Sequence, residues 1–203
     1  MKNASVLSSY ASTDENTLIQ WALAGRQEPF AEIVRRYRSA LLAGARSRVG
    51  DFDLAEEVVQ ETFLCVWKFL ASYNSRYSFR TWLWTILLNQ CRRQMQRRRK
   101  HADKETSAET AAPFWDQFPD LLPSPSAQVL EQERAARVRA ALRELPEVQA
   151  DALRLRFFGG LKFQEIAETM QCSLSTAKNR VRWGLEKMAE GIRETAADLI
   201  EEV

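Results

Sequence analysis

The side chains best suited to specific chemistry lie near the C-terminus, on a predicted helix that spans residues 174–188. Subtracting the apolar positions that recur at helical spacing leaves one polar face. An α-helix fits the major groove of DNA, where Lys or Arg can donate to guanine and Asn can pair with adenine. The candidate base-reading and phosphate-binding residues are Ser175, Thr176, Lys178, Asn179, Arg180 and Arg182.

This helix is the second half of a helix-turn-helix pattern. A short predicted helix (163–170) precedes a three-residue turn, and the small Ala167 allows the two helices to cross closely. Helix-turn-helix patterns also occur in proteins that never touch DNA, but the basic face favours DNA here. The predicted inward-facing residues are Ile166, Ala167, Met170, Cys172, Ala177, Val181 and Leu185.

A second candidate surface lies in the stretch 80–100, which is predicted to form a helix about 30 Å long. Its first half is apolar and carries Trp82 and Trp84, whereas its second half is basic. The whole stretch holds 7 Lys and Arg residues and no Asp or Glu. A predicted loop, SYNSRYSF (72–79), precedes it and supplies Tyr73 and Tyr77. The basic residues of the second half are Arg92, Arg93, Arg97, Arg98, Arg99 and Lys100.

The charge of the chain is strongly segregated, although the formal net charge is only +2. Residues 18–100 hold 15 Lys and Arg but 7 Asp and Glu, whereas residues 101–130 hold one Lys and five acids. A basic block beside an acidic segment predicts a polyanionic partner for the basic block. The alternative is that these charges form ordinary solvated helix faces.

Catalytic chemistry is not expected from this composition. The three cysteines are far apart and the one histidine, His101, lies in a polar segment, so neither a metal site nor a general base is predicted. The acids between Asp51 and Glu57 suit a helix N-terminus. We therefore expect no catalytic residue, no metal and no cofactor. The polar N-terminus and the lack of a run of about 18 apolar residues predict a cytoplasmic protein without membrane insertion.

The fold class is predicted to be all-α, because nearly every periodic segment has helical spacing. We expect two small helical domains, 14–100 and 129–190, with the helix-turn-helix in the second. The sequence Ser12-x-x-Glu15 predicts a capping box, Pro29 suits a first turn, Gly50 ends a helix, and Asp53 is expected to cap the next.

The remaining segments are predicted to be accessory. Residues 1–13 are expected to be disordered, 101–128 to form a flexible linker, and 191–203 to form a helical tail. The linker contains four prolines and many acids, but also Phe114, Trp115 and Phe118. These aromatics suggest either docking on a partner or packing on the chain's own domains.

Two blocks of the sequence together resemble a family. DLAEEVVQETFLCVWKFL followed by FRTWLWTILLNQCRRQMQRR, and VRAALRELPEVQADALRLRFFGGLKFQEIAETMQCSLSTAKNRVRW, are similar to the two conserved domains of bacterial RNA polymerase sigma factors of the extracytoplasmic-function (ECF) class. The resemblance covers roughly residues 14–100 and 129–190, in the expected order. It implies a transcription initiation factor that binds core RNA polymerase and recognises promoter DNA.

The resemblance also implies roles for individual residues. The first domain would bind polymerase and the minus-ten element, with Asn89 and the basic helix end along DNA. Tyr73, Tyr77 and Trp84 are candidates for stacking on an unpaired base, but at least one of them is expected to pack in the core instead. The second domain would read the minus-thirty-five element and pack near the β flap. An anti-sigma protein is expected as an inhibitory partner. The residues implied in docking on the β′ clamp helices are Asp53, Glu57, Gln60 and Phe63.

Some positions depart from the family pattern. Arg93 stands where many relatives have an acid, Gln171 occupies a turn position often held by Gly, Ala177 replaces a common Val, and Trp183 lies off the buried stripe. For this reason the promoter sequence does not carry over from relatives.

Two other hypotheses for the function are also consistent with the sequence. A conventional DNA-binding regulator would use residues 14–100 as a sensor or dimerisation domain and bind two-fold symmetric duplex sites. A protein-interaction module with a degenerate helix-turn-helix would be insensitive to loss of Lys178, Asn179 and Arg182.

Overall fold

The described part of the chain is entirely helical. A computed structural model describes residues 10–102 and 125–201, and these form eight α-helices and one short 3-10 helix without a strand. The predicted all-α class is confirmed. The α-helices, in chain order, are α1 (Glu15–Leu23), α2 (Gln27–Val49), α3 (Phe52–Phe69), α4 (Phe79–Ala102), α5 (Pro125–Glu144), α6 (Glu147–Phe157), α7 (Phe163–Thr169) and α8 (Leu174–Glu201).

The ends of the first helices follow local chemistry, with two corrections to the sequence prediction. Asp14, not Ser12, caps α1, because its Oδ1 accepts a hydrogen bond from the backbone N–H of Thr17 at 3.0 Å. Likewise Asp51, not Asp53, caps α3, since its carboxylate accepts from the N–H of Leu54 at 2.9 Å. Gly50 ends α2 as predicted, with the left-handed φ of 82° that favours glycine.

Helices α1 to α4 form the first module. Their apolar stripes meet in a common core, and the packing of α3 on both α2 and α4 buries the middle of each helix. Glu32 is a charged side chain inside this module, and Arg35 and Arg36 neutralise it at 2.7 and 2.8 Å. Core residues that are fully buried include Leu18, Ile33, Leu41, Val66, Leu83 and Leu87.

Helices α5 to α8 form the second module, in which α7 and α8 make the predicted helix-turn-helix. Ile166, Ala167, Ala177 and Val181 are buried where the two helices cross. The expectation that Leu185 faces inward is wrong, because its side chain is 44% exposed. Helix α8 also continues beyond residue 188, to Glu201.

The turn between α7 and α8 contains the backbone departure expected from the sequence. Gln171 has a positive φ of 50°, a conformation that costs an L-residue more than a glycine. Residues 1–9 of the N-terminus that is predicted to be disordered lie outside the described residues. Residues 10–13 are described and do not fit that prediction, because Tyr10 is buried with its ring centre 5.8 Å from that of Trp21 and its carbonyl accepts from Arg36 at 2.9 Å. The linker aromatics Phe114, Trp115 and Phe118 lie outside the described residues.

The two modules pack directly against each other. Helix α2 contacts α5 and α6, and α4 contacts α7. The sequence predicts a tether between the modules but no contact between them, so this interface is information that the tertiary structure adds.

Candidate nucleic-acid interface and docking surface

The exposed face of α8 carries the predicted base-reading residues. Ser175, Lys178 and Arg182 are exposed, whereas Thr176 and Asn179 are half-buried at the edges of the same face. The hydroxyl of Ser173 accepts a hydrogen bond from the N–H of Thr176 at 3.1 Å and so caps the helix. Because Ala177 and Val181 hold the opposite face in the core, the polar face projects away from the module.

Two of the cationic side chains on α8 have partners on their own module. Arg180 is half-buried, and its Nη1 lies 3.9 Å from Sδ of Met170. The guanidinium of Arg182 lies 3.8 Å from Glu186, one turn further on, and its Cζ is 6.0 Å from the ring centre of Trp183. Both sites are solvent-exposed, so these contacts hold Arg182 only weakly. Trp183 is 48% exposed and extends the face beside it.

Helix α4 divides into a buried half and a basic half, as predicted. Trp82 and Ile86 are partly buried against the core, and Leu83 and Leu87 are fully buried. Beyond Asn89, the guanidinium and ammonium groups emerge into solvent without an acid on their own helix. The exposed basic residues are Arg92, Arg93, Arg97, Arg98, Arg99 and Lys100.

Acidic residues of the neighbouring helix reach part of this basic surface. Glu57 and Glu61 on α3 line a shallow cleft together with Arg93 and Arg97 on α4. Asn89 is also engaged, because its Oδ1 accepts a hydrogen bond from Arg92 at 2.9 Å. The outermost residues of the helix are therefore the ones most available to a polyanion.

The loop before α4 places its two tyrosines differently. Tyr73 is half-buried against Phe79 and Trp82, with ring centres 5.5 and 5.4 Å away, and its hydroxyl donates to the carbonyl of Tyr77 at 2.8 Å. Tyr77 itself is 46% exposed. Of the predicted stacking residues, Tyr77 is the one whose ring is most accessible.

Trp84 does not form part of this surface and is the stacking candidate that packs in the core instead. Its side chain is 1% exposed and lies in the core, and its indole N–H has no hydrogen-bond partner. Gly44 makes room for the ring, because a Cβ at that position would come within 2.7 Å of it. The ring of Trp84 packs between Gly44 of its own module and Gly159 of the second module, since tryptophan brings a large apolar area to any helix face.

A separate candidate surface runs along α3. Asp53 and Glu57 are exposed and Gln60 is half-buried, but Phe63 is 2% exposed and packs edge-on against Phe30, with ring centres 6.5 Å apart. Phe63 therefore supports this face from beneath and does not present its ring to a partner. The prediction of direct contact is corrected for this residue.

Sequence reasoning missed two residues on the same face of α3. Leu64 is 62% exposed and Trp67 is 39% exposed. Both continue the helical spacing of Asp53, Glu57 and Gln60, so the spacing alone could have identified them. The face is consequently acidic in its first half and apolar in its second.

The described residues hold no group of His, Cys, Asp and Glu side chains arranged to bind a metal ion. In that same part of the chain, no helix has the length and apolar character required to cross a membrane. Cys91 is fully buried, and burial raises the pKa of its thiol to about 12.

Comparison with known proteins gives matches over both modules. The family Sigma-70 region 2 matches residues 33–101, and Sigma-70, region 4 matches residues 135–188. The RNA polymerase sigma-H factor of Pseudomonas aeruginosa is 30% identical over 169 residues, covering 82% of this chain and 88% of that protein. The ECF RNA polymerase sigma-E factor of Haemophilus influenzae is 26% identical, covering 82% of this chain and 89% of its own.

Solved structures are also similar to this chain along most of its length. CnrH, solved in complex with the cytosolic domain of CnrY, has a TM-score of 0.66 and 23% identity over 88% of this chain and 96% of its own, and it supports the fold alone. The sigma factor RpoE of Bartonella quintana, solved with the anti-sigma factor NepR, has a TM-score of 0.61 and 26% identity over 81% of this chain and 96% of its own. With two family regions in order and relatives matched along most of their length, the chain belongs to the ECF class of the sigma-70 family and is thus a transcription initiation factor rather than an enzyme.

Proposed function

We propose that this sigma factor binds core RNA polymerase through α3 and contacts promoter DNA through two separate surfaces, on α8 and on α4 with its preceding loop. The observation that carries the proposal is the division of exposed groups: two basic helical surfaces on different modules, and a third face that is acidic and apolar. Each has the chemistry of a different partner.

The minus-thirty-five element is assigned to α8. Lys178 and Arg182 can donate to guanine, Asn179 can both donate to and accept from adenine, and Ser175 and Thr176 can bond to either. Arg180, half-buried at the edge of the face, suits a phosphate and would set the position of the helix. This module would lie close to the β flap of the polymerase.

The minus-ten element is assigned to α4 and the loop before it. Arg92, Arg93, Arg97 and Arg98 would follow the DNA backbone, with Asn89 at the transition from the buried half of the helix. Tyr77, and Tyr73 after a small movement, would stack on an unpaired base of the separated strand. Stacking of about 1–3 kcal/mol per base offsets the cost of unstacking the duplex, so melting requires no covalent step.

Core polymerase is assigned to the exposed face of α3. The carboxylates of Asp53 and Glu57 suit a basic partner such as the β′ clamp helices, and Gln60 adds an amide. Leu64 and Trp67 would supply the apolar area that acids alone do not, since exposed aromatic residues are typical of interface centres. Phe63 would contribute by holding this face rigid.

Two further features follow from the family. We infer that the protein acts in the cytoplasm, where promoter DNA and polymerase are found. We also infer an anti-sigma protein as an inhibitory partner, because a sigma factor of similar structure, that of Bartonella quintana, was solved with one.

The decisive experiment combines the purified chain with core polymerase and a promoter library, and sequences the run-off transcripts. A discrete set of start sites that requires the chain is expected. The triple variant K178A/N179A/R182A should lose that specificity, whereas R137A, which removes an exposed arginine from α5, should keep it. Autonomous binding of the chain to symmetric duplex sites, without polymerase, would instead favour a conventional regulator.

A further inference from the structure

A charged side chain of the first module is buried in the second. Arg48, from the last turn of α2, is 6% exposed, and its guanidinium donates to the carboxylates of Asp151 and Glu147 on α6. Asp151 is itself 4% exposed. Long charged side chains are rarely buried unless they are paired, so this contact specifies how the modules sit together.

A second arginine crosses the interface in the opposite direction. Arg154 of α6 is 3% exposed, and it donates from Nε to the hydroxyl of Ser47 and from Nη2 to the carbonyl of Ser47, both at 2.9 Å. Its Nη1 also donates to Asp151 at 2.9 Å. We refer to Ser47, Arg48, Glu147, Asp151 and Arg154 as the interdomain cluster. It contains two cations and two anions, so it is balanced in charge.

A second contact joins the modules at the surface used for the minus-ten assignment. The hydroxyl of Ser78, beside Tyr77, donates to Oε1 of Glu165 on α7 at 2.6 Å. Behind it, Gly159 lies against Trp84, and a Cβ at that position would be 3.0 Å from the ring. The helix-turn-helix therefore rests on the loop and helix that would contact melted DNA.

This arrangement is incompatible with simultaneous contact of both promoter elements. The minus-ten and minus-thirty-five elements are named for their positions on the promoter, which lie about 25 base pairs apart. This spacing corresponds to about 85 Å along B-form DNA. Surfaces that touch each other cannot occupy positions separated by that distance on one duplex. The modules must separate before a promoter is bound.

We propose that the interdomain cluster is a latch that holds the unbound sigma factor closed, and that it opens when core polymerase and promoter DNA take up the two modules. This inference rests on the proposed function. The chemistry of the cluster suits a reversible latch, because buried ion pairs return to water at little net cost. On opening, Asp151 stays paired with Arg154 on α6, so neither module is left with a lone buried charge.

The test uses two variants, one on each module, in the full-length chain. R48M removes the guanidinium that crosses the interface but keeps a chain of similar length, and its matched control is R35M, which loses the same charge on the same helix. E147K places a cation beside Arg48, and its control is E144K on the neighbouring helix α5. Glu147 is 63% exposed, so its substitution leaves the core of its module intact.

Small-angle X-ray scattering of the unbound protein tests closure without polymerase. R48M and E147K should have a larger radius of gyration than the wild type, R35M and E144K should not, and circular dichroism should show equal helix content. A radius of gyration that stays at the wild-type value in both latch variants would overturn the latch.

Binding of core polymerase tests whether the latch limits access. Because apparent affinity falls by the fraction of competent molecules, the latch variants should bind core polymerase at least about tenfold more tightly than their controls. Expanded variants that bind with wild-type affinity would overturn the gating role. A wild-type chain that never binds polymerase would refute the proposed function, while the scattering result would still decide whether the closed state exists.

Discussion

The two basic helical surfaces of this protein differ in how their charges are arranged. Helix α4 ends with six Lys and Arg among residues 92–100. The predicted DNA-contacting amide beside them, that of Asn89, already accepts a hydrogen bond from Arg92. Helix α8 alternates cations with hydroxyl and amide groups along one face. This difference supports our proposal that the first surface neutralises phosphates and the second distinguishes bases, because only groups that reach base edges carry sequence information.

The largest expected effect removes the base-reading groups of α8. K178A/N179A/R182A should lower transcription from a promoter with an intact minus-thirty-five element by about a hundredfold or more, since each good base contact contributes about 1–3 kcal/mol. Run-off assays on matched promoters with intact and scrambled elements measure this. Equal losses on both promoters would show that α8 acts only through phosphates, and the contrast with α4 would fail.

A second prediction concerns the stability of the first module, to which α4 belongs. Replacing the buried Glu32 by Gln should lower the free energy of unfolding by about 2–3 kcal/mol, because the partners Arg35 and Arg36 lose their carboxylate. Urea denaturation at pH 7 measures the loss. Unchanged stability would mean that these ion pairs contribute little to the stability of the first module.

The same pair gives a pH dependence. Burial acts to raise the pKa of Glu32, but the hydrogen bonds and charges of Arg35 and Arg36 outweigh it and lower the pKa below the ordinary 4.5. The stabilisation is therefore complete above pH 4.5 and is lost as the pH falls through the lowered pKa. The stability difference between wild type and E32Q should shrink in that acidic range, and a difference that persists there contradicts the assignment.

A third prediction sharpens the phosphate role of α4. Changing Arg97, Arg98 and Arg99 to Gln should reduce the slope of log affinity against log salt for promoter binding by about 2–3, and weaken binding equally on different sequences. The control removes Arg137, Arg143 and Arg193, which are exposed on the second module. If both triple variants lower the slope equally, net charge and not the position on α4 governs binding.

The smallest expected effect is on the turn that positions α8. Gln171→Gly should raise the free energy of unfolding, because glycine adopts the φ of 50° without steric cost. The gain is limited to about 1 kcal/mol, since glycine also loses more backbone entropy on folding. Thermal unfolding measures this change. Gln164→Gly, in the first turn of α7, should destabilise by up to about 1 kcal/mol. A loss of stability in both variants would show that Gln171 is not strained.

Much of the fold was predictable from local patterns. Helical periodicity identified the helix-turn-helix, the residue type identified Gly50 as a helix end, and the composition of residues 80–100 divided α4 into apolar and basic halves. The predicted helix caps differ from the observed caps by two residues at α1 and at α3. Several neighbouring polar side chains near Asp14 and Asp51 can cap the same N–H groups, so the sequence alone does not decide between them.

The candidate site was predicted less completely, for a physical reason. An aromatic residue on a helix suits both a core and a partner surface. The sequence therefore left Trp84 as a candidate for either role and placed Phe63 in the docking contact, whereas both are buried. Leu64 and Trp67 were overlooked because apolar residues are usually attributed to the core.

What the amino-acid order determines here is local: which segments are helical, which faces are apolar, and which helices carry cations suited to DNA. The tertiary structure decides which of those charged residues are buried, and with which partners. Nothing in the local sequence distinguishes Arg48 from an exposed arginine. Only the fold brings it to Asp151, which lies 103 positions further along the chain. Periodicity describes a residue's own helix, whereas burial of a charge depends on a partner that no local pattern identifies.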